Sequence, residues 1–246
     1  MTAWPQGYGR IVRDEVDSTL DEARRIRTDH AGPFWLLAHR QSSGRGRRGR
    51  AWDMPAGNFA ATLVLPTTDS PARAALRSFV VSLALHRAFA DATGNVDAFT
   101  LKWPNDVLLN GGKVAGILLE TLSAPTGLAI GVGVNLIARP DAKALEEGAV
   151  APVSVLEETG TRVEPKPFLD CLAHHYAELE RQFQTFGFEP IRAGWLVHAA
   201  RLGETITART GREETMGTFE DVDLSGQLVL RGARGVTHIA AADVYF

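Results

Sequence analysis

Between Phe99 and Leu136 four apolar runs follow one another closely: FTLKW, DVLLN, KVAGILLETL and GLAIGVGVNL. The second and third flank Gly111-Gly112, a two-residue hairpin signal. The fourth turns glycine-rich where it ends. A chain with this much adjacent strand builds its core around a sheet. Two further runs, FWLLAHRQ (34–41) and NFAATLVLP (58–66), read as strands of the same sheet, the latter stopped by Pro66.

Helical signals fall outside these runs. Thr19 followed by Glu22 predicts a capping box at the start of DSTLDEARRIR, each side chain satisfying the other's backbone donor. A longer helix is predicted over 70–94, with Ser70 as cap, Pro71 in the first turn and Gly94 past the end. Its Leu76, Phe79, Val80, Leu83 and Phe89 recur at helical spacing and mark a core-facing side. From about residue 165 the chain is helical through PFLDCLAHHYAELERQFQTFG and EPIRAGWLVHAA. After Leu202 it changes to short alternating strands, ETITART, TMGTFEDV, QLVLRG and VTHIAAADV, the pattern of a small antiparallel barrel. The expectation is an α+β protein: a mixed β-sheet with helices over 8–200, then a β-barrel over 203–246.

The 246 residues are 45% hydrophobic and carry a formal net charge of −3. That is enough apolar material for one substantial core and a small second domain. The acidic balance also weighs against a nucleic-acid partner, which favours a broad basic excess. The single cysteine, Cys171, excludes an internal disulfide framework and a zinc site built from cysteines. The seven histidines form no His-Glu-x-x-His pattern, and His174 and His175 point in different directions on a helix. Structural roles are expected for them and for Cys171. The start of the chain lacks a basic segment followed by an apolar run, and no stretch approaches the roughly 20 apolar residues that cross a bilayer. A soluble, cytoplasmic protein with no membrane partner is expected.

One segment fits neither strand nor helix. In QSSGRGRRGRAW (41–52), Arg45, Arg47, Arg48 and Arg50 alternate with Gly44, Gly46 and Gly49. Unpaired arginine is costly to bury, and glycine adds backbone freedom that ordering must remove. An anionic ligand explains both features. Guanidinium groups make forked, charge-assisted hydrogen bonds to phosphate, and glycines let backbone N–H groups approach it.

The segments DST (17–19), QSSGRGRRGRAW, KWPNDVLLNGGKVAGILLE (102–120) and IGVGVNL (130–136) resemble, in order and spacing, those of biotin protein ligases. The resemblance runs from about Asp17 to Asn135, and the terminal barrel is similar to the SH3-like one that family carries. It implies that the carboxylate of biotin is joined to ATP, giving biotinyl-5′-AMP and pyrophosphate. The biotinyl group then passes to one lysine of a biotin carboxyl-carrier protein domain. Magnesium is implied as a cofactor, and a homodimer is compatible with the family. Some relatives carry an N-terminal helix-turn-helix that binds DNA. The residues before Asp17 leave no room for one here, so no nucleic-acid partner is expected.

The resemblance assigns Lys113 to the biotin carboxylate and the attacked phosphate, with Arg45 and Arg47 as its partners in catalysis. In solvent, Lys113 would be an ordinary hairpin lysine. Ser18, Thr19, Gln41, Gly44, Arg45, Lys113 and Gly116 are implied biotin contacts. Arg45, Arg47, Arg48, Trp52, Asn105, Lys113 and Asn135 are the implied nucleotide contacts. Trp52 reads equally as a face for adenine or as core, and Asn135 as polar support. Asp106 has three readings: a magnesium ligand, an orienter of the acceptor amine, or an Asx turn. Gly116 and Gly133 allow backbone to lie close to a ligand. Leu20 departs from the polar amide that many relatives have after DST. A lipoate or octanoate ligase or transferase of the same fold, and a non-catalytic binder of biotin or an adenylate, are the competing readings.

Overall fold

The structure, a computed structural model, describes residues 3–123, 126–140, 150–210 and 213–245. Its first sheet has seven strands: β1 Gly9–Val16, β2 Phe34–Gln41, β3 Phe59–Pro66, β4 Phe99–Lys102, β5 Asp106–Leu109, β6 Gly112–Ser123 and β7 Thr126–Val134. They lie in the order β1-β2-β3-β7-β6-β5-β4. Only β1 and β2 run parallel; the other neighbours are antiparallel. The hairpin between β5 and β6 turns on Asn110 (φ 49°) and Gly111 (φ 82°), not on Gly111-Gly112. Gly112 already pairs with Leu109. Two successive positive φ values suit the twist of the flanking strands, and Asn-Gly is the dipeptide that adopts them at least cost.

β1 carries no sequence signal because it is an edge strand. Seven of its eight residues are exposed or half-buried, and Arg10, Arg13, Asp14 and Glu15 interrupt any apolar alternation. Charge on an edge discourages pairing with another chain. The 70–94 segment is two helices, α2 Pro71–Ala75 and α3 Arg77–Thr93, joined at Leu76. Ser70 accepts a hydrogen bond from the Arg73 N–H, and Gly94 closes α3 in the left-handed conformation (φ 70°), as predicted. Short α4 (Val155–Thr159) precedes α5 (Pro165–Phe186) and α6 (Glu189–Val197).

Alternation along β7 separates two layers. Leu128, Ile130, Val132 and Val134 join the main core with Phe79, Leu83 and Phe89 of α3 and Phe168, Leu172 and Tyr176 of α5. The opposite face carries Gly131 and Gly133, and there α1 (Thr19–Ile26) crosses the sheet, with Leu20 packed on Gly131. The helices α3, α5 and α6 thus wall off one face and leave the α1 face partly open.

The second sheet is antiparallel in the order β11-β10-β9-β8-β12, with β8 Thr205–Arg209, β9 Glu214–Val222, β10 Leu228–Gly232, β11 Gly235–Ile239 and β12 Asp243–Tyr245. It corresponds to the expected small barrel. Among the described residues its edge strands β11 and β12 are not paired with each other, so it is an open barrel. Trp103, 3% exposed, donates its indole N–H to the Gly226 carbonyl at 3.0 Å and ties this sheet to the β4–β5 connection. No described helix is long and apolar enough to cross a membrane.

A stacked histidine pair, one member buried, gives the fold an acid sensitivity. His86 on α3 is 2% exposed and stacks on His198 with ring centroids 3.7 Å apart. Burial, then the neighbouring His198, pushes its pKa down to about 4. An unfolded histidine titrates near 6.5, so between these values the unfolded chain binds the proton more readily and stability falls as pH falls. Urea unfolding at pH 5 should give a free energy about 2 kcal/mol lower than at pH 7.5 from this group. The His86→Leu variant should show a shallower dependence; an unchanged one would contradict the assignment.

Candidate active site

A cleft of about 630 Å³ opens on the α1 face of the first sheet, where it meets β12 of the second. Its floor is made of glycine. Gly116 of β6 and Gly133 of β7 are register partners, and the Trp52 indole lies across both. A Cβ at Gly133 would sit 2.4 Å from Trp52 Cε2, and one at Gly116 would sit 3.1 Å from Cζ3. The expected close approach at these glycines is therefore made by an aromatic side chain of the chain itself. Gly133→Ala should displace the indole and lower turnover about tenfold, at a stability cost of about 1–3 kcal/mol from overpacking. Normal turnover would mean that the position of Trp52 is immaterial.

At one end of the cleft lie Ser18, Thr19 and Gln41. The expected capping box is not formed. Ser18, not Thr19, is the N-cap of α1, without a side-chain cap bond. Thr19 is the first helical residue, and its N–H and Oγ1 donate to Gln41 Oε1 at 2.9 and 3.2 Å. Gln41 thus replaces Glu22 as the acceptor, and Glu22 instead pairs with Arg13 and Arg25. Asp17 accepts from the Ser18 N–H at 2.7 Å. The Arg25 guanidinium on its carboxylate, with that N–H, holds its pKa down to about 2. Ser18 and Thr19 are 1% and 4% exposed, so they are buried at this end of the cleft. Leu20 packs against Gly131 and offers no polar contact.

The arginine loop is a tight hairpin. Arg45 bridges Ala51, Gly46 N–H donates to the Arg50 carbonyl at 2.7 Å, and Trp52 N–H donates to the Gly44 carbonyl at 2.8 Å. Gly44 has no space for a side chain: a Cβ would lie 2.2 Å from Gln41 Nε2. At the tip Arg48 adopts φ 57° and Gly49 φ 72°. The arginines divide their work. Arg45 pairs with Asp21 of α1 and with Glu120 of β6 at 3.2 Å, and these carboxylates raise its pKa. Arg47 donates to Asn105 Oδ1 at 3.2 Å and to the Ala242 carbonyl at 3.3 Å. Burial lowers its pKa. Arg48, Arg50 and Arg47 converge on the Asp243 carboxylate at 2.6, 3.3 and 3.5 Å.

Lys113 enters from the start of β6. Its backbone is held by Ala151 and Val153, at 2.8 and 3.0 Å. Its Nζ lies 2.7 Å from Asp106 Oδ1 and 5.8 Å from the centre of the Trp52 ring. Lys113 is thus paired with a carboxylate, its side chain about a third exposed. Asn105 Nδ2 donates to the Ile117 carbonyl at 2.7 Å, and Asn135 Nδ2 donates to the Val153 carbonyl at 3.0 Å. Asn135 thereby fixes the segment that carries Lys113's backbone partners, as polar support.

All the sequence-derived candidates except Gly44 and Arg48 line the one cleft; Gly44 shapes the loop's base, and Arg48 faces Asp243. Two cleft residues fall outside the sequence-derived candidates. Lys102, the last residue of β4, is 9% exposed, and burial lowers its pKa while nearby Asp106 pulls it up. A lysine closing an apolar run was the available clue. Asp243 is separated from Arg48 by 195 positions and could not be paired with it by pattern.

Comparison with known proteins is consistent along the chain. The biotin/lipoate A/B protein ligase family matches residues 11–135, and the biotin protein ligase C terminal domain matches 202–246. A biotin–[acetyl-CoA-carboxylase] ligase of Paracoccus denitrificans is 54% identical over 94% of this chain and 98% of its own length. The bifunctional ligase/repressor BirA of Bacillus subtilis is 28% identical over 97% of this chain and 74% of its own. The solved biotin protein ligase of Aquifex aeolicus, in complex with biotin and ATP, superposes with a TM-score of 0.82 at 25% identity, covering 96% of this chain and 97% of that one.

Proposed function

The chain belongs to the biotin/lipoate A/B protein ligase family, and from that premise we propose how its cleft carries out the reaction. It is an ATP-dependent ligase that activates biotin as biotinyl-5′-AMP and transfers the biotinyl group to a lysine of a carrier protein. The carrier we infer is the carboxyl-carrier domain of a biotin-dependent carboxylase, modified in the cytoplasm. The catalytic domain spans 8–200 and the terminal module 203–246.

The observation that carries the mechanism is Lys113 Nζ, fixed by Asp106 at 2.7 Å inside a cleft roofed by arginines. A carboxylate oxygen attacking the α-phosphorus of ATP meets another anion. An ammonium between the two lowers their repulsion and stabilises the negative charge that builds on the phosphoryl oxygens. The new C–O–P bond forms as pyrophosphate leaves. Arg47 and Lys102 flank the path of the phosphates, and Arg48 and Arg50 can exchange Asp243 for phosphate oxygens. Arg45 anchors the loop between α1 and β6 and shapes the biotin end. Ser18, Thr19 and Gln41 give that end hydroxyl and amide groups for a urea-like ring. In the second step the acceptor lysine amine attacks the acyl carbon, and AMP departs.

Asp106 does not suit a magnesium site. Its Oδ1 is held by an ammonium, and Lys102 and Arg47 add positive charge around it. Magnesium enters the cleft with ATP, as the MgATP substrate. Asp106 then holds Lys113 and can receive the proton-bearing side of the acceptor amine.

The test is mass measurement of an acceptor domain after incubation with MgATP and either biotin or lipoate. A gain matching biotin on one lysine is expected. A gain from lipoate in preference to biotin would move the chain to the other branch of its family.

A further inference from the structure

On the face of the molecule opposite the cleft, α3 and α5 bring together three side chains that the ligase reaction does not use. Cys171 and His175 stand one turn apart on α5, and Asp91 faces them from near the end of α3. The Cys171 thiol lies 3.3 Å from Asp91 Oδ2, and His175 Nε2 lies 2.8 Å from the same oxygen. One donor atom from each residue, a sulfur, a nitrogen and an oxygen, falls within 4.8 Å of the other two. The sequence predicts a structural thiol at Cys171; the fold sets the i, i+4 Cys171–His175 pair against a carboxylate from another helix.

We propose that Asp91, Cys171 and His175 form a binding site for a borderline-soft divalent cation of the zinc class, stapling α3 to α5. Zinc takes cysteine, histidine and carboxylate ligands at about 2.3, 2.0 and 2.1 Å. Tetrahedral placement at those lengths sets the donor atoms about 3.4–3.6 Å apart. Reaching that spacing takes His175 Nε2 about 0.6 Å and Cys171 Sγ about 0.3 Å further from Asp91 Oδ2. A thiolate and an imidazole in the set favour zinc or cobalt over magnesium or calcium, which take oxygen donors. Asp91 is about half exposed, so the fourth position opens to water.

The surroundings also match what a histidine ligand requires. His175 Nδ1 is buried without a hydrogen-bond partner among the described residues, and Glu178 Oε2 lies 3.8 Å from it. A ligating histidine commonly directs its second nitrogen at a carboxylate, which fixes the tautomer that leaves the other nitrogen's lone pair for the metal. A small closing movement of Glu178 supplies that contact. Binding displaces the thiol proton, so uptake of the cation releases protons. Joining two helices of the layer behind the sheet, the site would act on stability rather than on the chemistry in the cleft.

The test uses the full chain after chelator treatment, with zinc and then cobalt added. One equivalent of zinc should bind and raise the melting temperature. Cobalt should give a thiolate-to-metal charge-transfer band in the near ultraviolet. Cys171→Ser should abolish the band, and Asp91→Asn should weaken binding at least tenfold. His174→Ala, which removes the adjacent surface histidine, should leave both signals intact. Biotinylation of an acceptor by Cys171→Ser should stay at the parent rate, separating this site from the ligase reading. Absence of the band in the parent chain, or equal zinc binding by Cys171→Ser, would overturn the proposal and leave a hydrogen-bonded trio between two helices.

Discussion

Replacing Lys113 with alanine is expected to lower biotin-dependent pyrophosphate release by about a thousandfold or more while leaving the fold intact. Loss of one preorganised neutral donor at a developing oxyanion costs about 10²–10³ in turnover, and Lys113 contributes a full charge at 2.7 Å from its anchoring carboxylate. The side chain is partly solvated and sits on the rim of the sheet, so unfolding should shift by only about 1 kcal/mol. Lys113→Arg is a second probe. Its forked, bulkier head cannot occupy the same position between Asp106 and the Trp52 ring, so most of the loss should remain. Pyrophosphate release by Lys113→Ala within tenfold of the parent would remove this residue from the reaction.

The largest expected effect on stability lies elsewhere. Arg77 of α3 is 2% exposed and donates to Glu180 of α5 from Nε and Nη2, at 3.1 and 2.9 Å, while Nη1 lies 2.8 Å from Asp69. Tyr176 Oη and Gln184 Nε2 also donate to Glu180, at 2.9 and 2.6 Å. Burial raises the Tyr176 pKa well above the usual tyrosine value, with the Glu180 charge adding to it. Arg77→Ala deletes the only described cation facing a nearly buried carboxylate and should cost about 3–5 kcal/mol, a fall of roughly 6–20 °C in Tm. Replacing both partners, as in Arg77→Met with Glu180→Leu, should recover part of that loss: the Glu180 charge goes with its cation and Asp69 keeps Arg73, while the buried Tyr176 hydroxyl loses its acceptor. A calorimetric Tm for Arg77→Ala within 2 °C of the parent, on the scale of about 0.5–1 kcal/mol, would contradict the network's importance.

The legible part of the fold is the part fixed locally. The runs that became β2 to β7 are apolar, rich in β-branched residues and leucine, and bounded by proline, glycine or asparagine. Their identity survives without knowledge of their partners. Ser70 and Gly94 mark their helix ends because capping uses neighbours in sequence. Two failures are local, the hairpin turning one residue early on Asn110-Gly111 and the 70–94 helix breaking at Leu76; the others are long-range. β1 is a strand only because β2 offers it an edge, and its charges hide it. The Thr19–Glu22 capping box lost to Gln41, whose amide comes from 22 positions away.

The site divides in the same way. Lys113, Asp106, Arg47 and Trp52 were found because their short segments resemble those of a known family, and the sheet brings these segments to one cleft. What each arginine touches was not legible. Arg45 binds carboxylates on α1 and β6, and three others share one aspartate of the terminal module. Charge pattern reveals that anions are wanted; only the fold reveals that the chain supplies some of them itself. The cluster of Asp91, Cys171 and His175 was missed for a related reason, since one of its donors comes from another helix.

The central claim is that cationic side chains let a carboxylate displace pyrophosphate directly at the α-phosphorus. Biotin carrying ¹⁸O in both carboxylate oxygens tests it, with MgATP and an acceptor domain, by mass analysis of the AMP formed. One heavy oxygen per AMP is expected, left behind when the acceptor amine breaks the acyl C–O bond. Label-free AMP, or heavy oxygen in the pyrophosphate, would mean that the bond forms in another way and that the account given for Lys113 and the arginine loop is wrong.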